Sequence, residues 1–215
     1  MRVALPFGHG KISAEIADER ILAIAQNDLA LKEPTASADA LVAQALQKPI
    51  GSPPLYELAK GKQRVVLLAS DHTRPVPSKA IVPQMLQQIR RGNPNAEITI
   101  LIATGCHRGT THEELIRKFG PEICRCERIE IHDCQKSPMV DLGILPSGAP
   151  LRVNALAAQA DLLVAEGFIE PHFFAGFSGG RKSVLPGVCS TETVFANHSA
   201  SLIDSEYAHS GSLER

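Results

Sequence analysis

No stretch of this 215-residue chain approaches the ~20 consecutive apolar residues that a helix needs to span a bilayer, so a membrane-spanning protein is not expected. The amino terminus, MRVALPFGHGK, lacks the apolar run of a signal peptide. Positive charge is not in excess either. The 22 Lys and Arg residues face 23 Asp and Glu, a net charge of −1, which argues against nucleic acid or an anionic membrane surface as partner. Five cysteines are an odd, unevenly spaced set that makes no disulfide framework, and a reducing cytoplasm is the expected setting. Internal repeats, low-complexity tracts and charge blocks are also missing. The chain does have 44% hydrophobic residues, enough for a core, and its length suits one large α/β domain or one domain with a small extra lobe.

Short runs rich in Val, Ile and Leu alternate with helical patterns. RVVLLAS (64–70) predicts a strand, and Pro75 and Pro77 keep the next few residues from forming a regular element. Ser78 is placed to cap the next helix, whose Ile81, Met85, Leu86 and Ile89 form one apolar stripe that ends at Gly92 and Pro94. EITILIATG (97–105) is a nearly continuous apolar run, as in a strand buried on both faces. Thr111 and Glu114 have the spacing of a capping box before HEELIRKFG. ERIEIHD (127–133) alternates as a half-buried strand does, LRVNALAAQA (151–160) reads as a short helix, and DLLVAEG (161–167) as another buried strand. The fold class expected is α/β: a Rossmann-like, mostly parallel sheet with helices on both faces, formed by residues 61–215. Residues 1–60 are expected to form a small β-rich amino-terminal lobe or sheet edge, with strands at MRVAL and RILAIAQ and a helix at ADALVAQALQKP.

Ligands of open α/β sheets bind beyond the carboxyl ends of the strands, and three such ends carry polar loops here. The first offers Asp71, His72, Thr73 and Arg74. The second offers Thr104, Cys106, His107 and Arg108. The third, EPHFFAGFSGGRKS (170–183), offers Glu170, His172, Ser178, Arg181 and Lys182. Arg74 suits a carboxylate or phosphate, against the plain alternative of a surface arginine in a turn. Asp71 suits ribose hydroxyls, or an Asx-turn beside Pro75. A lone histidine is more often structural than catalytic. Two on separate strand-end loops suit acid–base chemistry on two faces of one carbon, which makes His107 and His172 a pair.

GFSGGRKS is close to the phosphate loop G-x-x-x-x-G-K-[ST], but Arg181 stands where the second glycine belongs, so a nucleoside triphosphate loop is not expected. The segment still presents a lysine, Lys182, on a glycine-bearing loop in an apolar setting, where a lowered pKa would make it a nucleophile or covalent anchor. His198, in TETVFANHSASLI, falls on an expected helix and is either a half-buried structural residue or, as a neutral imidazole, a transition-metal ligand. Cys124, Cys126, His132 and Cys134 form a competing metal pattern. A strand of that length spans ~33 Å, too far for one ion, and the spacing misses the usual zinc motifs.

Taken together, DHTRPVPS (71–78), ATGCHRGTTHEEL (103–115), EPHFFAGFSGGRKSVLPGV (170–188) and Asn197-His198 resemble the nickel-dependent lactate racemase family, in motif order and separation as well as content. The resemblance implies a nickel pincer nucleotide, a pyridinium mononucleotide with two sulfur-bearing arms, joined to Lys182, with His198 completing the nickel coordination. It implies that His107 and His172 are the acid–base pair, that Asp71, His72, Thr73 and Arg74 form a cofactor-binding loop, and that Arg74 lies near the substrate carboxylate. The chemistry implied is racemisation of lactate or a related 2-hydroxy acid: a histidine takes the hydroxyl proton, the α-hydrogen leaves as hydride to the cofactor, and the planar keto acid rotates before hydride returns. Maturation enzymes for the cofactor are implied as partners.

Family members are roughly twice this length, with a second domain that supplies a glutamine and a lysine. The chain is therefore expected to be an amino-terminal domain with little activity alone. Two other readings stay open. A nicotinamide-type dehydrogenase is weakened by the lack of G-x-G-x-x-G after any early strand, and a non-catalytic nucleotide- or anion-binding module remains.

Overall fold

The computed structural model describes residues 1–8, 10–24 and 33–209. They belong to two compact units, Met1–Ser37 and Ala38–Arg215.

The first unit holds an antiparallel hairpin of β1 (Arg2–Phe7) and β2 (Gly10–Glu15), in register from Arg2 opposite Glu15 to Phe7 opposite Gly10. The first expected strand is therefore present, and the second, RILAIAQ (20–26), is not strand over its described residues. Asp18–Arg20 is a single 3₁₀ turn, residues 21–24 carry no strand, and 25 and 26 lie outside the described residues. The immediately adjacent segment pairs at the smallest loop-closure cost.

The second unit opens with α1 (Ala38–Gln47) and α2 (Leu55–Leu58). It then alternates β3 (Arg64–Ser70), α3 (Ser78–Gly92), β4 (Glu97–Ala103), α4 (His112–Phe119), α5 (Pro121–Cys126) and β5 (Arg128–Ile131). A hairpin of β6 (Met139–Ile144) and β7 (Pro150–Asn154) comes next, then α6 (Ala155–Ala158) and β8 (Leu162–Ala165). The last elements are β9 (Pro171–His172), β10 (Gly176–Phe177), α7 (Thr191–Asn197) and α8 (Ala200–Ile203).

The central sheet has the order β5-β4-β3-β8 and every pairing is parallel. The interior strands β3 and β4 are the continuous apolar runs, since each packs side chains on both faces. One face buries Leu67, Ile100 and Ile102 against Val82, Leu86 and Ile89 of α3 and Leu115 and Phe119 of α4. The other buries Val66, Leu68 and Leu101 against Val153 of β7, Ala157 of α6 and Val194 of α7. This is the expected parallel α/β architecture.

Local expectations are corrected in four places. β8 is an edge strand and only half-buried, not a buried one. Residues 151–154 are strand: helix begins only at Ala155, where the Asn154 side chain accepts from Leu156 N–H. The helix expected through His198 is two, because the chain breaks at His198 and Ser199 before α8. Ser78 does not cap α3. Its hydroxyl donates to Glu166 Oε2 at 3.0 Å instead. The capping box on α4 forms as expected, with Thr111 Oγ1 accepting from Glu114 N–H and the Glu114 carboxylate accepting from Thr111 N–H.

Candidate active site

Because β4, β3 and β8 are adjacent and parallel, their carboxyl ends open on one edge of the sheet. The three polar loops meet there around a cleft of about 270 Å³. Asp71, Arg74, His107, His172, Lys182 and His198 all line it. His72 and Thr73 do not. His72 faces a separate depression with Arg117 and Lys118, its Nδ1 3.2 Å from Thr110 Oγ1, and Thr73 turns back onto Asp71. Arg74 borders both hollows, with Nη1 3.7 Å from Glu170 Oε1.

Asp71 is 2% exposed and fully engaged. Its Oδ1 accepts from Thr73 N–H at 3.0 Å and Thr73 Oγ1 at 2.6 Å, the Asx-turn anticipated beside Pro75. Its Oδ2 lies 2.6 Å from His107 Nδ1. Burial pushes the carboxyl pKa up, but the Thr73 and His107 hydrogen bonds outweigh it and hold Asp71 below the ordinary carboxylate value. A carboxylate can only accept, so His107 Nδ1 donates, and the neutral ring presents the lone pair of Nε2. No sequence pattern pointed to this pairing, which joins two loops 36 residues apart. Arg108 is withdrawn from the cleft, forming a fork on Glu114 with contacts of 2.9 and 2.6 Å.

His172 is held differently. It sits on the two-stranded ribbon of β9 and β10, stacked on Phe173 with ring centroids 5.1 Å apart and edge-on to Phe174 at 4.6 Å. Ala175 N–H donates to its Nδ1 at 3.3 Å, so the neutral ring carries its proton on Nε2. Burial, then the positive charges of Lys182 and Arg74, push its pKa below the ordinary histidine value. The two histidines therefore sit on one cleft with Nδ1 in opposite roles, donating to Asp71 in His107 and accepting from Ala175 N–H in His172.

Lys182 lies on a 3₁₀ turn, Gly180–Ser183. Burial and then the Arg74 guanidinium lower its pKa, with Glu170 opposing, so its amine is a better nucleophile than an exposed lysine. Gly179 leads into this turn at φ +73°, and a Cβ there would come 2.9 Å from Phe168 O. Gly187 closes the far side, where a Cβ would meet Ser183 O at 2.2 Å and the Ala103 side chain at 3.0 Å. His198 caps α7, and its Nδ1 donates to Val194 O at 3.0 Å, leaving Nε2 as the unprotonated nitrogen that a metal would take. Phe174 contacts the imidazoles of both His172 and His198, edge-on to the latter at 5.7 Å.

Among the described residues no group of three or more His, Cys, Asp or Glu side chains is gathered as a metal cage. His132 of the competing metal pattern is buried, with Nε2 donating to Cys189 O at 3.0 Å and Nδ1 3.1 Å from Asn154 Nδ2. Cys106 lines the cleft, but burial and then the neighbouring Cys134 thiol raise its pKa to about 11, so it is a thiol rather than a thiolate near neutrality. A metal in this cleft would thus need a ligand set brought largely by something other than the protein. The arrangement fits a group that is tethered by an amine and carries its own donors, with His198 adding one nitrogen.

Glu166, which carries no motif in the sequence, is 4% exposed at the end of β8 and also borders the cleft. Its Oε1 accepts from Ser70 N–H at 3.1 Å and Ser70 Oγ at 3.2 Å, and its Oε2 accepts from Ser78 Oγ. Among the described residues, no helix is long and apolar enough to cross a membrane.

Comparison with known proteins gives a consistent result. A family model described as the lactate racemase N-terminal domain matches residues 7–211. A lactate racemase of Thermoanaerobacterium thermosaccharolyticum is 48% identical over 213 residues, covering 99% of this chain and 50% of that protein. One from Lactiplantibacillus plantarum is 49% identical over 212 residues, with 98% and 50% covered. The solved structure of the Thermoanaerobacterium thermosaccharolyticum lactate racemase apoprotein superimposes with a TM-score of 0.88 at 47% identity, across all of this chain and 50% of that one. A Thermotoga maritima protein of known crystal structure superimposes with a TM-score of 0.56 at 26% identity, covering 75% of this chain and 40% of its own. The chain spans about half the length of the curated relatives it matches.

Proposed function

The chain belongs to the lactate racemase N-terminal domain family, and from that premise we propose that it is the cofactor-binding part of an isomerase that racemises lactate or a related 2-hydroxy acid. The observation that carries this reading is the meeting of Lys182, His198, His107 and His172 around one cleft.

In this proposal Lys182 anchors a nickel pincer nucleotide through its amine, and His198 Nε2 gives the metal its one protein ligand. When bound, that group would supply the hydride acceptor, which protein side chains do not offer. The remaining chemistry falls to this chain. His107, its tautomer set by Asp71, accepts the hydroxyl proton of a substrate lying on its side. His172, in its imidazolium form, would donate a proton to the carbonyl oxygen of the keto acid from the other side, so that one proton passes in net terms from His172 to His107. Racemisation in the reverse sense exchanges these duties. Arg74 takes the substrate carboxylate, and the backbone of the Asp71–Arg74 segment supports the nucleotide. The other half of the length seen in the relatives closes the cleft. Alone, this chain is expected to turn over little substrate, and a cytoplasmic setting with maturation enzymes as partners completes the proposal.

Co-expression with cofactor-maturation enzymes, followed by intact-protein mass spectrometry, tests the reading. The expected result is a covalent adduct mapped to Lys182 and absent from Lys182→Ala. Binding of a nicotinamide nucleotide with no adduct would overturn it in favour of a dehydrogenase. An unmodified protein that binds neither would leave a non-catalytic anion-binding module.

A further inference from the structure

All three loops of the cleft are tied to one buried carboxylate that touches none of the acid–base groups. Glu166 directly follows β8, and the chain runs from it through Gly167 to Glu170 and His172, so it stands at the root of the third loop. Its two oxygens reach across to the first loop at both of that loop's ends: Ser70, the last residue of β3, and Ser78, the first of α3. Lys118 of α4, the helix that continues from the second loop, donates to Ser70 Oγ at 3.1 Å and lies 3.9 Å from Glu166 Oε1. Its side chain is 6% exposed and that of Glu166 0%.

Such an arrangement is costly if its only use is stability. Two charges must be desolvated, and a well-packed apolar replacement is often no worse. The hydroxyl of Ser78 gains its place here by giving up the usual capping of α3, which is left without a side-chain cap. What the network supplies that apolar packing does not is direction. Each partner has a fixed donor angle onto one carboxylate, so the ends of the first loop, the root of the third and the helix behind the second are fixed against one point. Asp71 comes immediately after Ser70. The orientation of its carboxylate, and through it the 2.6 Å contact with His107, depends on where Ser70 is held.

We propose that Glu166, with Ser70, Ser78 and Lys118, is a positioning network that sets the Asp71–His107 pair by locking both ends of the 71–77 loop to the strand that delivers His172. Its importance for turnover rests on the acid–base role proposed for His107, but its geometry can be read without turnover.

The test uses this chain and monitors the proton on His107 Nδ1 by NMR, together with a thermal melt. Glu166→Gln keeps the shape and removes the charge, and Ser78→Ala removes one arm with minimal change of packing. Ile89→Val, which trims the core beneath α3, serves as a control for stability alone. The expected result is exchange of the His107 Nδ1 proton with solvent at least about tenfold faster in Glu166→Gln and in Ser78→Ala, with no such change in Ile89→Val at comparable loss of melting temperature. If Glu166→Gln does not fold, Ser78→Ala decides. Unchanged exchange in the folded variants would overturn the network's role while leaving the Lys182 adduct test untouched. Failure of the adduct test with faster exchange here would overturn the racemase reading and leave the network standing.

Discussion

His107 and His172 are the same residue type on the same cleft, yet the molecule holds them by opposite means. The first is oriented by a buried carboxylate at 2.6 Å, on a loop braced by the Arg108–Glu114 fork and a capping box. The second rides a ribbon of four residues between aromatic rings, one of them, Phe173, 81% exposed. A charged partner fixes both tautomer and direction. Aromatic neighbours restrain the second ring, while burial and then the nearby cations favour its neutral form. The pair proposed to serve either enantiomer thus has unequal arms, and the inequality is open to measurement.

The strongest way to break the comparison is to remove each imidazole. In a cofactor-loaded protein of the relatives' full length, His107→Ala and His172→Ala are each expected to lower racemisation by about 10²- to 10⁴-fold, the usual range for a general acid–base group. Both should retain the adduct on Lys182. Near-native rates in either variant would remove that residue from the reaction. Both should also be assayed from each enantiomer, because unequal arms predict unequal losses in the initial rates of the two directions.

Asp71→Asn is the next largest effect and addresses one arm only. An amide in place of Oδ2 offers His107 Nδ1 either a weaker acceptor or a donor, and in the second case the tautomer reverses and Nε2 no longer presents a lone pair. A loss of about 10- to 10³-fold in kcat, with a smaller change in KM, is expected, since the substrate contacts stay in place. Equal loss from Asp71→Asn and Asp71→Ala, accompanied by a collapse in melting temperature, would instead mean that the carboxylate only holds the loop.

The interior of the fold was legible where burial on both faces left a continuous apolar run, as in β3 and β4, and where spacing alone defines a motif, as in Thr111 and Glu114. It was hidden where tertiary pairing overrode local preference. Leu151 and Val153, either side of Arg152, suit either state, and it is the antiparallel partner Met139–Ile144 that makes them strand. The residue types of the cleft could be read because lysine, histidine and arginine on strand-end loops are unusual in number. Their partners could not. Asp71 to His107 spans 36 residues, Ser78 to Glu166 spans 88 and Ser70 to Glu166 spans 96, and no local pattern encodes such contacts. Glu166 itself reads in sequence as one acidic residue at the end of a strand.

The smallest expected effect concerns charge around the aromatic-held arm. Burial lowers the pKa of His172 first, and the charges of Lys182 and Arg74 add to the shift. Its midpoint therefore lies below 6.5, the ordinary histidine value. The neutral ring persists as pH falls past that point and is lost only on passing through the lowered midpoint. Arg74→Gln removes one of these two positive charges and leaves burial in place. The midpoint of His172, measured by NMR titration of this chain, should rise toward 6.5 but not reach it. An unchanged midpoint would mean that the Arg74 guanidinium plays no part in the shift and that burial, its first cause, is sufficient.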